Sequence, residues 1–121
     1  MNTISDSAII AALGRQMNRA VARETVAASN LANLDTPGYK AKTVTFSDTL
    51  DDHLTATAAV GGKDGAVVEE AKGLPTKRDG NTVQLDRELV ALNRASADFS
   101  AAQTALSAKF RLVRYAINEG R

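Results

Sequence analysis

The sequence predicts a mainly α-helical protein whose long N- and C-terminal helices pair as an antiparallel hairpin or coiled coil. In both terminal regions apolar residues recur at helical spacing. The middle region, 41–80, holds five of the eight glycines and one of the two prolines, which indicates a short irregular or weakly β connection. We therefore divide the chain into an N-terminal helix with its turn (1–40), a connecting segment (41–80) and a C-terminal helix (81–121). Together they form one structural unit.

The N-terminal helix is expected to begin at Ser5 or Asp6, since both are good helix caps, and to end near Asn33. One face of this helix carries Arg15, Arg19 and Arg23, which recur at every fourth position, and a separate face is apolar. A solvated or salt-bridging face is the favoured interpretation of these arginines, and contact with acidic residues of a neighbour is the alternative. The apolar stripe comprises Ile10, Leu13, Met17, Val21, Ala28 and Leu31.

A constrained turn follows this helix. Pro37 fixes its own φ, and Gly38 stands where a type II turn requires a positive φ. Asparagine is a poor residue for a helix interior, so Asn30 is expected to need a hydrogen-bonding partner, and Asn33 is expected to cap the last carbonyls. The helix should therefore end in a defined turn.

The connecting segment contains weaker signals. Val44 and Phe46 alternate with polar residues, which predicts a short strand, and Val67 and Val68 suggest the start of another. Residues 48–59 suggest a weak helix, residues 61–65 a glycine-rich loop, and residues 74–80 a connection. There is too little apolar material here for an independent domain.

The C-terminal helix has the clearest periodicity. Neither glycine nor proline occurs from Asn81 to Glu119, and Asn81 or Thr82 is expected to cap the helix. Asp86 and Glu88 lie early in it, which favours the helix dipole. Steps of four and three residues define a heptad stripe that we interpret as a packing surface: Leu85, Leu89, Leu92, Ser96, Phe99, Gln103, Leu106, Phe110, Val113 and Ile117.

Composition excludes several classes of function. The chain lacks cysteine, which removes disulfides and thiol catalysis, and its net charge of +1 gives no general attraction to nucleic acid. No apolar run approaches the roughly 18 residues of a membrane-spanning helix. The N-terminus lacks the pattern of a cleavable secretion signal, because Asp6 precedes any basic residue. We expect a cytosolic protein or one exported by another route.

No constellation of residues predicts catalysis. His53 is the single histidine and has no second histidine or cysteine with which to form a transition-metal site. Gly61-Gly62-Lys63 lacks the upstream glycine of a phosphate-binding loop, and Asp64 stands where serine or threonine should follow. We therefore predict no catalytic, cofactor-binding or metal-binding residues, no small-molecule substrate and no enzymatic activity.

Two motifs resemble one protein family. The run Asn-Leu-Ala-Asn-x-x-Thr-Pro-Gly-Tyr at 30–39 resembles the N-terminal signature of flagellar basal-body rod, hook and hook-associated proteins. Residues 80–92 and 105–114 resemble the C-terminal helix of the proximal rod subunits, and among these the FlgB type. The residues that match the two signatures are Asn30, Asn33, Thr36, Pro37, Gly38 and Tyr39, and then Gly80, Asn81, Val83, Leu85, Asp86 and Glu88.

This resemblance implies a structural subunit of the proximal rod, in the periplasmic part of the flagellar basal body. The terminal helices would pack with other rod subunits, in several copies of a helical assembly that transmits torque from motor to hook. Components of the rod base and export gate would be further partners, and export would use the flagellar type III apparatus. The alternative is a soluble helical chaperone or regulator that captures a partner helix, which the C-terminal heptad stripe alone would allow.

Overall fold

The computed structural model describes residues 6–46 and 65–119, which form two long helices and a two-stranded sheet. Helix α1 spans Asp6–Ala32, strand β1 spans Lys42–Phe46, strand β2 spans Ala66–Glu70, and helix α2 spans Leu85–Glu119. The prediction of a mainly helical hairpin with a short, weakly β middle is confirmed. The helix suggested at 48–59, most of the loop at 61–65, and His53 lie outside the described residues.

The two helices run antiparallel. At one end Asp6 of α1 lies 2.5 Å from the ammonium group of Lys109 in α2, and at the other end Asn81, just before α2, contacts Asn33, just after α1. At 1.5 Å per residue α1 is about 40 Å long and α2 about 52 Å. The final ten residues of α2 follow Lys109 and so extend beyond Asp6.

Alanines form the centre of the seam between the helices. Ala20 and Ala27 of α1 and Ala95 and Ala102 of α2 are each at most 5% exposed and are spaced seven residues apart on both helices. Small side chains let two helices approach closely, and a seven-residue spacing keeps them on one face. The seam therefore lies one residue N-terminal to Val21, Ala28, Ser96 and Gln103, which the sequence stripes had placed in the packing surface.

The strands pair as an antiparallel hairpin beside α1. Val44 lies opposite Val68, and Phe46 lies opposite Ala66. The predicted strand at Val44 and Phe46 and the predicted strand at Val67 and Val68 are both present. Val67 and Val68 are each about half exposed, at 51% and 54%, so β2 is the outer strand.

No helix among the described residues is sufficiently long and apolar to cross a membrane. The same described ranges contain no group of three or more histidine, cysteine, aspartate or glutamate residues that could hold a metal ion.

Candidate functional site

The turn after α1 has the predicted geometry. Gly38 has a φ of 75°, and the Tyr39 amide donates to the Thr36 carbonyl at 3.2 Å. A bond from the fourth residue to the first, with a positive φ at the third, defines a type II turn. The Thr36 hydroxyl also donates to the Asn33 side-chain oxygen at 3.1 Å. Thr36, Pro37, Gly38 and Tyr39 therefore redirect the chain from α1 toward β1.

Asn30 holds the start of β1 against α1. This residue is 1% exposed, its amide group donates to the Lys42 carbonyl at 2.8 Å, and its side-chain oxygen accepts from the Lys42 amide at 2.9 Å. The Tyr39 hydroxyl donates to the same oxygen at 3.3 Å. The asparagine side chain thus replaces a neighbouring strand for one residue of β1, which satisfies backbone groups that burial would otherwise leave unpaired. Lys42 is therefore the hydrogen-bonding partner that Asn30 was expected to need.

Asn81 binds the turn that follows α1. Its amide group donates to the carbonyls of Asn33, Leu34 and Thr36 at 2.8, 3.0 and 2.8 Å. Its side-chain oxygen accepts from the Val83 amide at 2.7 Å, and the whole residue is 0% exposed. Buried carbonyls of a turn need hydrogen-bond donors just as those of a helix end do. Asn81 supplies donors to this turn from a position more than 40 residues later in the chain.

The cap predicted for the first helix is confirmed, because the Asn33 side chain donates to the Ser29 carbonyl in the last turn of α1 at 2.8 Å. The cap predicted for the second helix is wrong. The first α2 backbone bond runs from the Glu88 amide to the Gln84 carbonyl, so the helix begins at Leu85 and neither Asn81 nor Thr82 caps it. Thr82 instead accepts from the Ala41 amide at 2.8 Å.

Backbone contacts complete this junction between the two signatures. The Gly38 amide donates to the Asp79 carbonyl at 2.9 Å, and the Thr82 amide donates to the Tyr39 carbonyl at 3.0 Å. Gly80 has a φ of 85°, and a Cβ atom added there would lie 3.4 Å from the Gly38 Cα. We call residues 30–42 together with residues 77–83 the asparagine junction. It joins the end of α1 to the start of α2.

The α2 stripe is covered unevenly. Four of its members are half-buried: Leu92, Phe99, Leu106 and Val113. Its other large members are exposed, with Leu85 at 47%, Leu89 at 44%, Phe110 at 50% and Ile117 at 61%. Asp86 is exposed, whereas Glu88 is only 4% exposed because it lies on the seam face with Ala95 and Ala102. Half of the predicted packing surface is therefore uncovered in the single chain.

The end of α2 is apolar on opposite sides. Residues on a helix advance by about 100° each, so Phe110 and Ile117 share one face, and Leu112 and Tyr115 share nearly the opposite one. Leu112 and Tyr115 are 63% and 58% exposed. All four follow Lys109, in the segment that extends beyond Asp6. We call these four residues the terminal apolar patch.

Two of the three regularly spaced arginines contact an aromatic ring. The guanidinium carbons of Arg19 and Arg23 lie 5.1 and 4.9 Å from the centroid of the Phe46 ring. A cation within about 6 Å of a ring face is attracted by its quadrupole. The arginine face of α1 therefore fastens the end of β1, a role that the sequence did not indicate.

Comparison with known proteins places the chain in a family. The family profile described as "Flagella basal body rod protein" matches residues 9–40, which cover most of α1 and the turn. The flagellar basal body rod protein FlgB of Aeromonas hydrophila is 32% identical over an alignment that covers 72% of this chain and 75% of that protein. This chain belongs to the FlgB family of flagellar basal-body rod proteins.

Two further FlgB proteins match over most of their length. The protein of Bacillus subtilis (strain 168) is 27% identical over 95% of this chain and 97% of its own. The protein of Escherichia coli (strain K12) is 28% identical over 78% of this chain and 82% of its own. The likeness to FlgB thus extends well beyond the N-terminal match and includes both sides of the asparagine junction in the full-length comparison.

Proposed function

We propose that this chain is a structural subunit of the proximal flagellar rod, without catalytic activity, and that its terminal helices bury their uncovered apolar surfaces between neighbouring subunits. Membership of the FlgB family supports the location in the basal body. The terminal apolar patch supports the mechanism. Its partners would be other rod subunits, with components of the rod base and export gate at one end.

The hairpin leaves the four side chains of the terminal apolar patch at least half exposed, so a neighbouring protein surface is needed to bury them. Fully burying a large apolar side chain contributes about 1.5–3 kcal/mol, so covering the exposed half of each of four side chains would contribute roughly 4 kcal/mol per subunit. Because the patch faces opposite directions on one helix, a single flat partner would cover only half of it. Insertion of the α2 end between two neighbours accounts for both faces.

The asparagine junction has a different role in this proposal. Asn30 and Asn81 are fully buried within the chain and fix how α1, the turn and the start of α2 are joined. The signature residues Asn33, Thr36, Pro37, Gly38, Tyr39 and Gly80 would therefore act by shaping the subunit. Leu85, Leu89, Phe110 and Ile117 would act by contacting neighbours, and Asp86 is exposed beside the first two.

Replacing Phe110 and Ile117 together by Asp tests the mechanism. Both side chains are at least half exposed, so the isolated chain should keep its helical circular dichroism and its unfolding midpoint. Burial of two unpaired carboxylates in a packed interface is very costly, so basal-body preparations should lack the rod and the cells should not swim. The matched control replaces Ser100 and Ser107, both exposed on α2, by Asp. Normal rods in the Phe110/Ile117 variant would refute assembly through this patch.

A further inference from the structure

A groove of about 580 Å³ lies between α1, β1 and α2, on a different part of the molecule from the terminal apolar patch. Its accessible apolar lining comes from Val26 of α1, Val44 of β1, and Val90 and Ala91 of α2, and polar side chains lie between them. Ala27 and Ala95 of the alanine seam also line it, so the groove is a depression directly over the helix contact.

Four cations line the groove. Arg23 comes from α1, Lys42 from β1, and Arg87 and Arg94 from α2, where they lie about two turns apart. Among the described residues none of the four forms an ion pair. Two carboxylates, Glu88 and Asp98, also line the groove, which leaves it with two more positive than negative side chains.

We propose that this groove binds an acidic amphipathic segment of a neighbouring subunit, with apolar side chains against the valines and Ala91 and carboxylates against the cations. The proposal rests on the assembly role given above. Charge complementarity selects the partner, because Lys42, Arg87 and Arg94 line the groove and have no ion-pair partner among the described residues. Arg23 adds a fourth positive charge while its guanidinium contacts the Phe46 ring. The partner segment would lie along α2, where Arg87 and Arg94 are seven residues apart and so on one face.

Glu88 sets the alignment of the partner. Its side chain is 4% exposed and lies among the cations, yet it forms no ion pair within the described part of the chain. A partner carboxylate opposite Glu88 would be repelled, so the segment should carry an apolar or basic side chain at that point. Glu88 would therefore exclude partners with an unbroken run of carboxylates.

Binding of a labelled synthetic peptide to the full chain tests the groove. The probe has leucine at helical spacing and glutamate elsewhere, and fluorescence anisotropy reports binding. We expect saturable binding that weakens as salt increases. A peptide with lysine in place of glutamate and one with serine in place of leucine should not bind. Equal binding of the lysine peptide, or no binding of the glutamate peptide, would overturn the proposal.

Paired charge reversals locate the site. Arg87→Glu with Arg94→Glu should weaken binding of the glutamate peptide by about tenfold or more, because two attractions become repulsions. Arg111→Glu with Arg114→Glu makes the same change on exposed residues of α2 outside the groove and should have little effect. An equal loss in both pairs would indicate non-specific charge attraction and would refute a specific groove. Circular dichroism verifies that each variant remains helical.

The result is separable from the proposed rod function. If the peptide does not bind but the Phe110/Ile117 variant still fails to build rods, the groove proposal is wrong and the assembly role stands. If the peptide binds with the expected selectivity but rods form in that variant, the groove is real and the terminal apolar patch is not the assembly surface.

Discussion

Removing the side chain of Asn81 should destabilise the isolated chain more than any single surface change. Asn81→Ala removes the side-chain bonds to three carbonyls of the turn after α1 and to the Val83 amide. The amide group has two N–H donors shared among the three carbonyls, so the variant loses two donors and one acceptor. At about 1 kcal/mol for each buried hydrogen bond, we expect the free energy of unfolding to fall by about 3 kcal/mol.

Urea unfolding followed by circular dichroism measures this change. With a slope of about 1–3 kcal/mol per molar urea for a small protein, the midpoint should fall by roughly 1.5 M. The control is Asn93→Ala, because Asn93 is exposed on α2 and alanine is the better helix former there. A midpoint for Asn81→Ala within error of the wild type would mean that water replaces these bonds at no cost, and that the junction does not stabilise the fold.

The near-isosteric change Asn81→Asp separates hydrogen bonding from packing. The variant places a carboxyl oxygen where the amide nitrogen now donates to three carbonyls. Burial and the nearby carbonyl oxygens disfavour the charged carboxylate, so the pKa of the introduced carboxyl should rise above its value in the unfolded chain. The folded state then binds more protons than the unfolded state between the two pKa values. Relative to the wild type, the variant should therefore gain stability as pH falls and lose it as pH rises. A pH-independent difference would contradict this account.

Four further changes probe single positions. Gly38→Val places a β-branched residue at a φ of 75° and should cost about 1–2 kcal/mol in thermal unfolding, whereas Gly14→Ala, in open helical surroundings, should stabilise by about 1 kcal/mol. Phe46→Leu removes a ring that faces two guanidinium groups and should cost about 1–2 kcal/mol, and no loss would show that the ring contributes only apolar area. Asp6→Asn breaks the pair with Lys109, but Asp6 is 63% exposed, so unfolding should change by under about 1 kcal/mol and the change should vanish at high salt.

The helices and strands could be predicted because their signals are local. Apolar spacing located both helices to within a few residues, and the alternation around Val44 and Phe46 located β1. The type II turn followed from Pro37 and Gly38 alone, since few conformations suit that pair. In each case the residues that determine the element are neighbours in the chain.

The helix seam and the asparagine junction could not be predicted from such local signals. Stripes chosen for the largest apolar residues miss a contact made by Ala20, Ala27, Ala95 and Ala102, where close approach matters more than side-chain size. The seven-residue spacing of these alanines was the available signal. The role of Asn81 depends on residues more than 40 positions away, so no local pattern indicates it.

The long-range contact of Asn81 has a consequence for the order in which the chain folds. Closing a loop of 48 residues costs roughly 3 kcal/mol of chain entropy, and the turn after α1 has no bonds from Asn81 until that closure occurs. During synthesis, or during passage through any channel too narrow for folded protein, the first helix and its turn would emerge before the residue that fixes the turn. A chain entering such a channel N-terminus first would acquire its finished shape only after position 81 had followed. The subunit would thus remain easy to unravel until most of it had been delivered.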